Sequence, residues 1–364
     1  MAVSQQLAAF GNHLLIGISG TKLNEDDKRL LSLLKPIGIV FYGKNFQTGT
    51  HYEVWLQTLK ELNAQIREYT ERDRMFMTLD HEGGRVHRPP SPITRFPEAY
   101  LLESHAREVA FAAAIELKSM GINVSWSPVA DIYSNPSNPI IGNRAMGVTP
   151  ASAGAFAGEY LAGLRDGGVI GCAKHFPGHG DTSSDSHLEL PVLNLTKEEL
   201  QNRELIPFQT LIAAQVPMVM TAHILFPQID ANVPATLSRK ILTGILRQEL
   251  GFAGVIVSDD LDMKAVADMY EKPGTVAQTF NAGCDLLMVS RNLPSSSVER
   301  TIAIARDFCE SMKSGSLDES IVESAKMRVE NLLASTPQYS VELLERTILQ
   351  KHAELAINCA FQAE

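Results

Sequence analysis

Cysteine is scarce: Cys172, Cys284, Cys309 and Cys359 are the only four in 364 residues. Their spacing matches neither a disulfide framework nor a metal knuckle. Cys172 and Cys284 sit in apolar segments and are expected to behave as small core hydrophobes. Clustered cations are missing too. Lys and Arg number 32 against 42 Asp and Glu, a formal charge of −10. Nucleic-acid binders need Lys and Arg gathered on one face, so no nucleic-acid partner is expected. No apolar run approaches the roughly 18 residues that span a bilayer, so no membrane partner is expected either. The N-terminal stretch MAVSQQLAAFGNHLLIGISG has no basic leader before its apolar part. It does not read as a signal peptide, and the expected location is cytoplasmic. Linkers, low-complexity stretches and internal repeats are also absent, so nothing marks a second domain.

What is present is an alternation. Hydrophobic residues make up 45% of the chain, an ordinary globular content that leaves ample material for a core. Strand-like runs fall at 13–19, 37–43, 75–80, 122–131, 168–174, 217–223, 254–259 and 284–290. Several are near-continuously apolar, as parallel strands covered on both faces are. Helical periodicity occupies 52–70, 103–119, 151–166, 196–215, 238–250 and 297–314. Thr196 and Glu199 form a capping-box pattern, and Ser238 is placed to cap the helix after it. Eight strands alternating with helices predict a (β/α)8 TIM-type barrel, with a doubly wound open sheet as the rival. The expected organisation is a single catalytic domain over 1–364. The barrel takes about 10–315, and a C-terminal extension, about 316–364, forms two helices packed outside it.

Unusual polar residues collect at the C-terminal ends of these runs. Asp80 ends the third, Asp131 the fourth, Lys174 and His175 the fifth, His223 the sixth and Asp259 the seventh. A barrel enzyme builds its site from that rim. The segment from Lys174 to His187, KHFPGHGDTSSDSH, is the densest. Its Gly178 and Gly180 permit unusual backbone angles and close approach to a ligand. Two chemistries compete there. His and Asp could hold a metal ion, giving a metal-dependent hydrolase. Alternatively His187, two residues from Asp185, could serve as an acid/base whose tautomer the carboxylate fixes. A plain solvated loop is the bland third reading.

A second motif, DHEGGRVHR at 80–88, runs a strand end into a Gly-Gly turn. It places Asp80 near Arg85 and Arg88, a set that can hold sugar hydroxyls or merely form a rim ion pair. The third, VSDDLDM at 257–263, ends an apolar strand in adjacent acids. Alternation lets only one of Asp259 and Asp260 face inward, and the residues alone leave open which. Asp262 is expected to cap the following helix.

Together these motifs resemble family 3 glycoside hydrolases, specifically bacterial β-N-acetylglucosaminidases of the NagZ type. The resemblance spans about 15–290 and includes SPVADI at 127–132, GNRAMG at 142–147, MTAHILFPQID at 220–230 and GVIVSDDLDM at 254–263. His81, His87 and Met146 depart from what that family usually carries. The resemblance implies a retaining exo-glycosidase, with Asp259 as nucleophile, His187 as acid/base and Asp185 orienting it. Asp80, Arg88, Arg144, Lys174 and His175 match sugar-contacting positions. It implies a small carbohydrate partner, a GlcNAc-containing muropeptide fragment of cell-wall recycling, acted on by a monomer without cofactor or metal. The acceptor, water or phosphate, stays open. A metal-dependent hydrolase and a silent sugar-binding protein are the rival classes.

Overall fold

The computed structural model describes residues 3–183, 189–293 and 296–361. Eight parallel strands close into a barrel. In chain order they are β1 (Leu14–Gly17), β2 (Gly38–Phe41), β3 (Phe76–Leu79), β4 (Val124–Ser125), β5 (Ile170–Phe176), β6 (Met218–Thr221), β7 (Val255–Asp260) and β8 (Leu286–Val289). Each pairs with its sequence neighbours, and β1 closes on β8 through Leu14↔Leu287 and Ile16↔Val289. Each of the eight expected runs overlaps one strand, with β5 and β7 extending past the expected ends to Phe176 and Asp260. Closure settles the choice between barrel and open sheet, because no edge is left unpaired.

Strand alternation builds two cores. Leu15, Val40, Phe76, Val124, Trp126, Cys172, Met218, Met220, Val255, Val257, Leu286 and Met288 form an interior cluster. Their outward neighbours, among them Ile39, Met77, Ala173, Val219, Ile256 and Leu287, join the larger core under the helices. Each fully buried aliphatic or aromatic side chain is worth roughly 1.5–3 kcal/mol, so both faces of every strand contribute. All four cysteines are free and buried, with Cys172 in the interior cluster and Cys284 in the outer one.

The helices begin where capping groups stand. Thr196 accepts from Glu199 N and Glu199 reciprocates, starting the helix Lys197–Asn202. The periodicity predicts one helix over 196–215, but the chain breaks at Arg203 and resumes at Leu205–Ala213. Pro207 explains the break: in a continuous helix its ring would meet the carbonyl of residue 203. The segment Lys240–Glu249 winds as a π-helix, a widening that apolar periodicity does not register. Ser238 Oγ does accept from Ile241 N, at 3.3 Å, just before it.

Both C-terminal helices lie outside the strand cylinder. The first, Glu319–Ser335, also seals it, because Val329 and Leu333 complete the interior cluster. Arg328 clamps this helix to Asp285, at the start of β8, at 2.7 Å. The second, Arg346–Phe361, packs on Ala106–Ser119 and ties His352 to Glu116 at 2.8 Å. With that end closed, the opposite mouth is left for chemistry.

Candidate active site

The alternation that fills the interior also decides which polar groups face it. Asp80 follows Phe76 by four residues, Lys174 follows Cys172 by two, and Asp259 follows Val257 by two. Each therefore continues the inward-facing set toward the C-terminal mouth. A cavity of about 260 Å³ opens there, lined by Asp80, Arg88, Arg144, Lys174, His175 and Asp259. Tyr42, Trp126 and three methionines, Met220, Met263 and Met288, supply its apolar wall. Six of the eight expected site residues thus share one cavity. The other two, Asp185 and His187, lie outside the described residues.

The cationic side is organised by a residue the sequence reading passed over. Glu82 is 4% exposed and holds two cations at once. Lys174 Nζ reaches Glu82 Oε1 at 2.6 Å and Asp80 Oδ1 at 2.8 Å. Arg144 grips Glu82 with two parallel bonds, Nε to Oε2 at 2.7 Å and Nη2 to Oε1 at 2.9 Å. Burial alone would push the Glu82 carboxyl up, but Arg144 and Lys174 hold it well below the usual range. Burial also opposes the Lys174 charge, and Asp80 and Glu82 override it, raising that ammonium's pKa. Arg88 stands 3.6 Å from Asp80 and over the Tyr42 ring at 5.8 Å. The signal for Glu82 was available, since it lies two residues beyond Asp80 and shares its side of the chain.

His175 is fixed from behind. Its Nδ1 meets Asp131 Oδ2 at 2.7 Å, and Asp131 Oδ1 accepts from His179 N at 2.7 Å. Burial works against the Asp131 charge, yet His175 and His179 bring its pKa below the ordinary value. His179 goes the other way, pushed down to about 4 by burial and by His175. Its Nδ1 meets Thr182 Oγ1 at 2.8 Å, while Asn138 donates to the carbonyls of His179 and Gly180. The described part of the loop is therefore seated on the segment after β4, through Asp131, Ile132 and Asn138, rather than draped over solvent.

Several expectations need correction. Gly178 does take the left-handed backbone expected of it, at φ 132°, and the close approach seen at Gly178 and Gly180 is to the protein itself. A Cβ at 180 would fall 1.8 Å from Ile132 O, and one at 178 would press on Glu204. Asp262 does not cap the helix Lys264–Ala267, which Met263 begins. It instead accepts from Arg291 N at 3.0 Å and Arg300 Nε at 3.1 Å. His223 stays outside the cavity, with Nδ1 at 2.8 Å from Thr236 Oγ1 and Nε2 at 3.1 Å from Asp260 O. Arg85 lines the rim and donates to the carbonyls of Pro139 and Ile140.

Both adjacent acids line the cavity, but Asp259 continues the inward set of Val257 while Asp260 is held by Ser290. A register shift between Val257 and Asp260 against β8 carries Asp260 to Ser290, whose N and Oγ both donate to it. Burial, then Asp262, pushes the Asp260 carboxyl up to about 7. Asp260 N donates to Asp259 Oδ1 at 2.8 Å, so one acid's backbone steadies the other's carboxylate.

This rim of carboxylates and cations over an apolar plug sits on a chain whose residues 5–332 match the glycosyl hydrolase family 3 N terminal domain. The chain belongs to glycosyl hydrolase family 3. It is 32% identical over 343 residues to a beta-hexosaminidase of Idiomarina loihiensis, covering 92% of this chain and 96% of that one. It is 30% identical to beta-hexosaminidase A of Pseudoalteromonas piscicida over 89% of this chain, but spans only 57% of that longer protein. NagZ from Neisseria gonorrhoeae, solved with N-trifluoroacetyl-D-glucosamine, superposes with a TM-score of 0.71 at 29% identity, covering 95% of this chain and 97% of that one. Among the described residues no helix of this family 3 chain is long and apolar enough to cross a membrane.

Proposed function

We propose that this family 3 chain is a retaining exo-β-N-acetylglucosaminidase with Asp259 as its nucleophile. The observation that carries the reading is the inward Asp259, sharing one cavity with the Asp80, Lys174, Arg144 and His175 polar wall. Its β-hexosaminidase relatives, and the N-acylated glucosamine bound by the Neisseria protein, support the choice of sugar. Asp80 is oriented by Lys174 to accept hydrogen bonds from ring hydroxyls. Arg88 and His175 present donors beside it. Tyr42, Trp126 and the methionines offer apolar contact to the sugar face and the acetyl group.

The reaction runs in two displacements. Asp259 attacks the anomeric carbon as the glycosidic bond breaks. The departing oxygen takes a proton from His187, which Asp185 orients. A glycosyl-aspartate ester remains. Neutral His187 then removes a proton from water, whose oxygen attacks the same carbon and releases Asp259. Two inversions leave the configuration unchanged. The natural substrate of this reading is N-acetylglucosaminyl-1,6-anhydro-N-acetylmuramic acid, with or without peptide, and the setting is cytoplasmic cell-wall recycling.

The test compares nitrophenol release from aryl N-acetyl-β-glucosaminide and aryl β-glucoside, with a chelator present throughout. Turnover of the N-acetyl substrate alone, giving the β-anomer first by NMR, is the expected result. Preference for the glucoside overturns the sugar assignment, and release that requires added metal favours the metal-dependent hydrolase. Turnover that instead tracks added phosphate replaces water as the acceptor.

A further inference from the structure

Behind the loop that leaves β5 lies a carboxylate that the mechanism does not use. Glu204 sits at the break between the helices Lys197–Asn202 and Leu205–Ala213 and is 1% exposed. Its Oε1 takes Arg203 Nε at 2.7 Å, whereas its Oε2 has no hydrogen-bond partner. The loop rests directly on it. A Cβ built on Gly178 would fall 2.8 Å from Glu204 Cβ and 2.8 Å from Oε2. Arg203 also reaches the loop, with Nη2 at 2.6 Å from Asp181 Oδ2. A single guanidinium thus serves two carboxylates, one on the loop and one beneath it. Asp131, which fixes both His175 and His179, is the other acid that acts on Glu204.

We propose that Glu204 is a positioning residue whose protonation state sets how the loop 176–183 is seated, and through it the His175–Asp131 pair. With a proton, Glu204 is a neutral support under Gly178 and leaves the Arg203 charge to Asp181. Without it, the Glu204 and Asp181 carboxylates compete for one guanidinium, and the Asp131 charge adds its repulsion to Glu204. Arg203 is then drawn from the loop and the Gly178 contact is loaded with charge. Burial pushes Glu204 up to about 7, with Arg203 pulling down and Asp131 and Asp181 pushing up, so the switch falls at neutral pH. The catalytic consequence rests on the reading proposed above, because the same loop leads on to His187.

The test is hydrogen exchange of the peptide 176–183 in the full chain, between about pH 5 and about pH 9, corrected for intrinsic rates. Wild type is expected to lose protection several-fold through a midpoint near neutrality, and kcat on the aryl N-acetylglucosaminide should fall at that midpoint with KM unchanged. Glu204→Gln should hold the low-pH protection throughout. Asp181→Asn should move the midpoint down, because Arg203 then serves Glu204 alone. A Glu204→Gln profile that superimposes on wild type overturns the proposal, as does an upward shift in Asp181→Asn. If Glu204→Gln does not fold, the Asp181→Asn curve decides. Turnover retained by Asp259→Asn would sink the nucleophile assignment while leaving the exchange result untouched, so the two failures are distinguishable.

Discussion

Lys174 and Glu82 meet at 2.6 Å with both side chains 3% exposed, and that contact joins Asp80 on one side to Arg144 on the other. Glu82 is where Lys174 and Arg144 share an anion. Removing one partner of such a buried set leaves uncompensated charge, at a cost of about 3–5 kcal/mol. Glu82→Gln should therefore lower Tm markedly. It should also reduce kcat/KM more than it raises KM, because Lys174 loses its second anchor. Thermal melts beside steady-state kinetics check this; an unchanged Tm would mean the contact carries little stability.

Asp259→Asn removes the attacking carboxylate and keeps the shape. Loss of a covalent nucleophile costs on the order of 10⁶-fold in kcat. Tm should stay within about 0.5 kcal/mol equivalent of wild type, because the Asp260 N contact at 2.8 Å can still be accepted by the amide oxygen. Residual activity above about a tenth of wild type would point to Asp260 as the attacking group instead.

His81 and His87 make acid a destabilising condition. Their rings lie 5.1 Å apart, and both His81 nitrogens are buried without a hydrogen-bond partner. Burial, then His87, pushes His81 down to about 3. Burial, then Arg95, pushes His87 down to about 4. The folded chain thus binds these protons less readily than the unfolded chain, which takes them up near pH 6.5. Stability is complete above that value and is lost progressively as pH falls from about 6.5 toward 4 and 3. Melts over that window should show a falling Tm, and His81→Leu should flatten the slope.

Asp285 holds the closed end together. It takes Arg247 at 2.6 Å, Arg328 at 2.7 Å and Ile256 N at 2.8 Å. Asp285→Asn should cost roughly 3 kcal/mol, since the fully buried carboxylate is the counter-ion of Arg247 and of the more exposed Arg328. The catalytic constants of the surviving folded fraction should not change. A variant equally stable but catalytically impaired would show that the two ends of the barrel are coupled.

The sequence made the scaffold legible because the apolar runs are short, bounded and eight in number. The cavity's inward residues were legible for a related reason: strand alternation carries Asp80, Lys174 and Asp259 to one side. What escaped was set by partners distant in sequence. Glu82 reads as one acid in a Gly-rich turn until Arg144, 62 positions on, closes on it. Asp262 looks like a helix cap, and only the fold brings Arg300 to it. The break before Leu205 was visible in Pro207, but the π-helix at 240–249 was not, because its apolar spacing suits an α-helix equally well.

The helix Glu319–Ser335 gives the barrel a floor. With Val329 and Leu333 joined to the interior cluster, the barrel is filled on that side, and the cavity that holds Asp259 lies toward the other. On the proposed exo reading, that filled side keeps a polymer from being threaded through the barrel, and a chain end is lowered in instead. On the same reading the severed unit leaves by the way it came, which would tie turnover to product release.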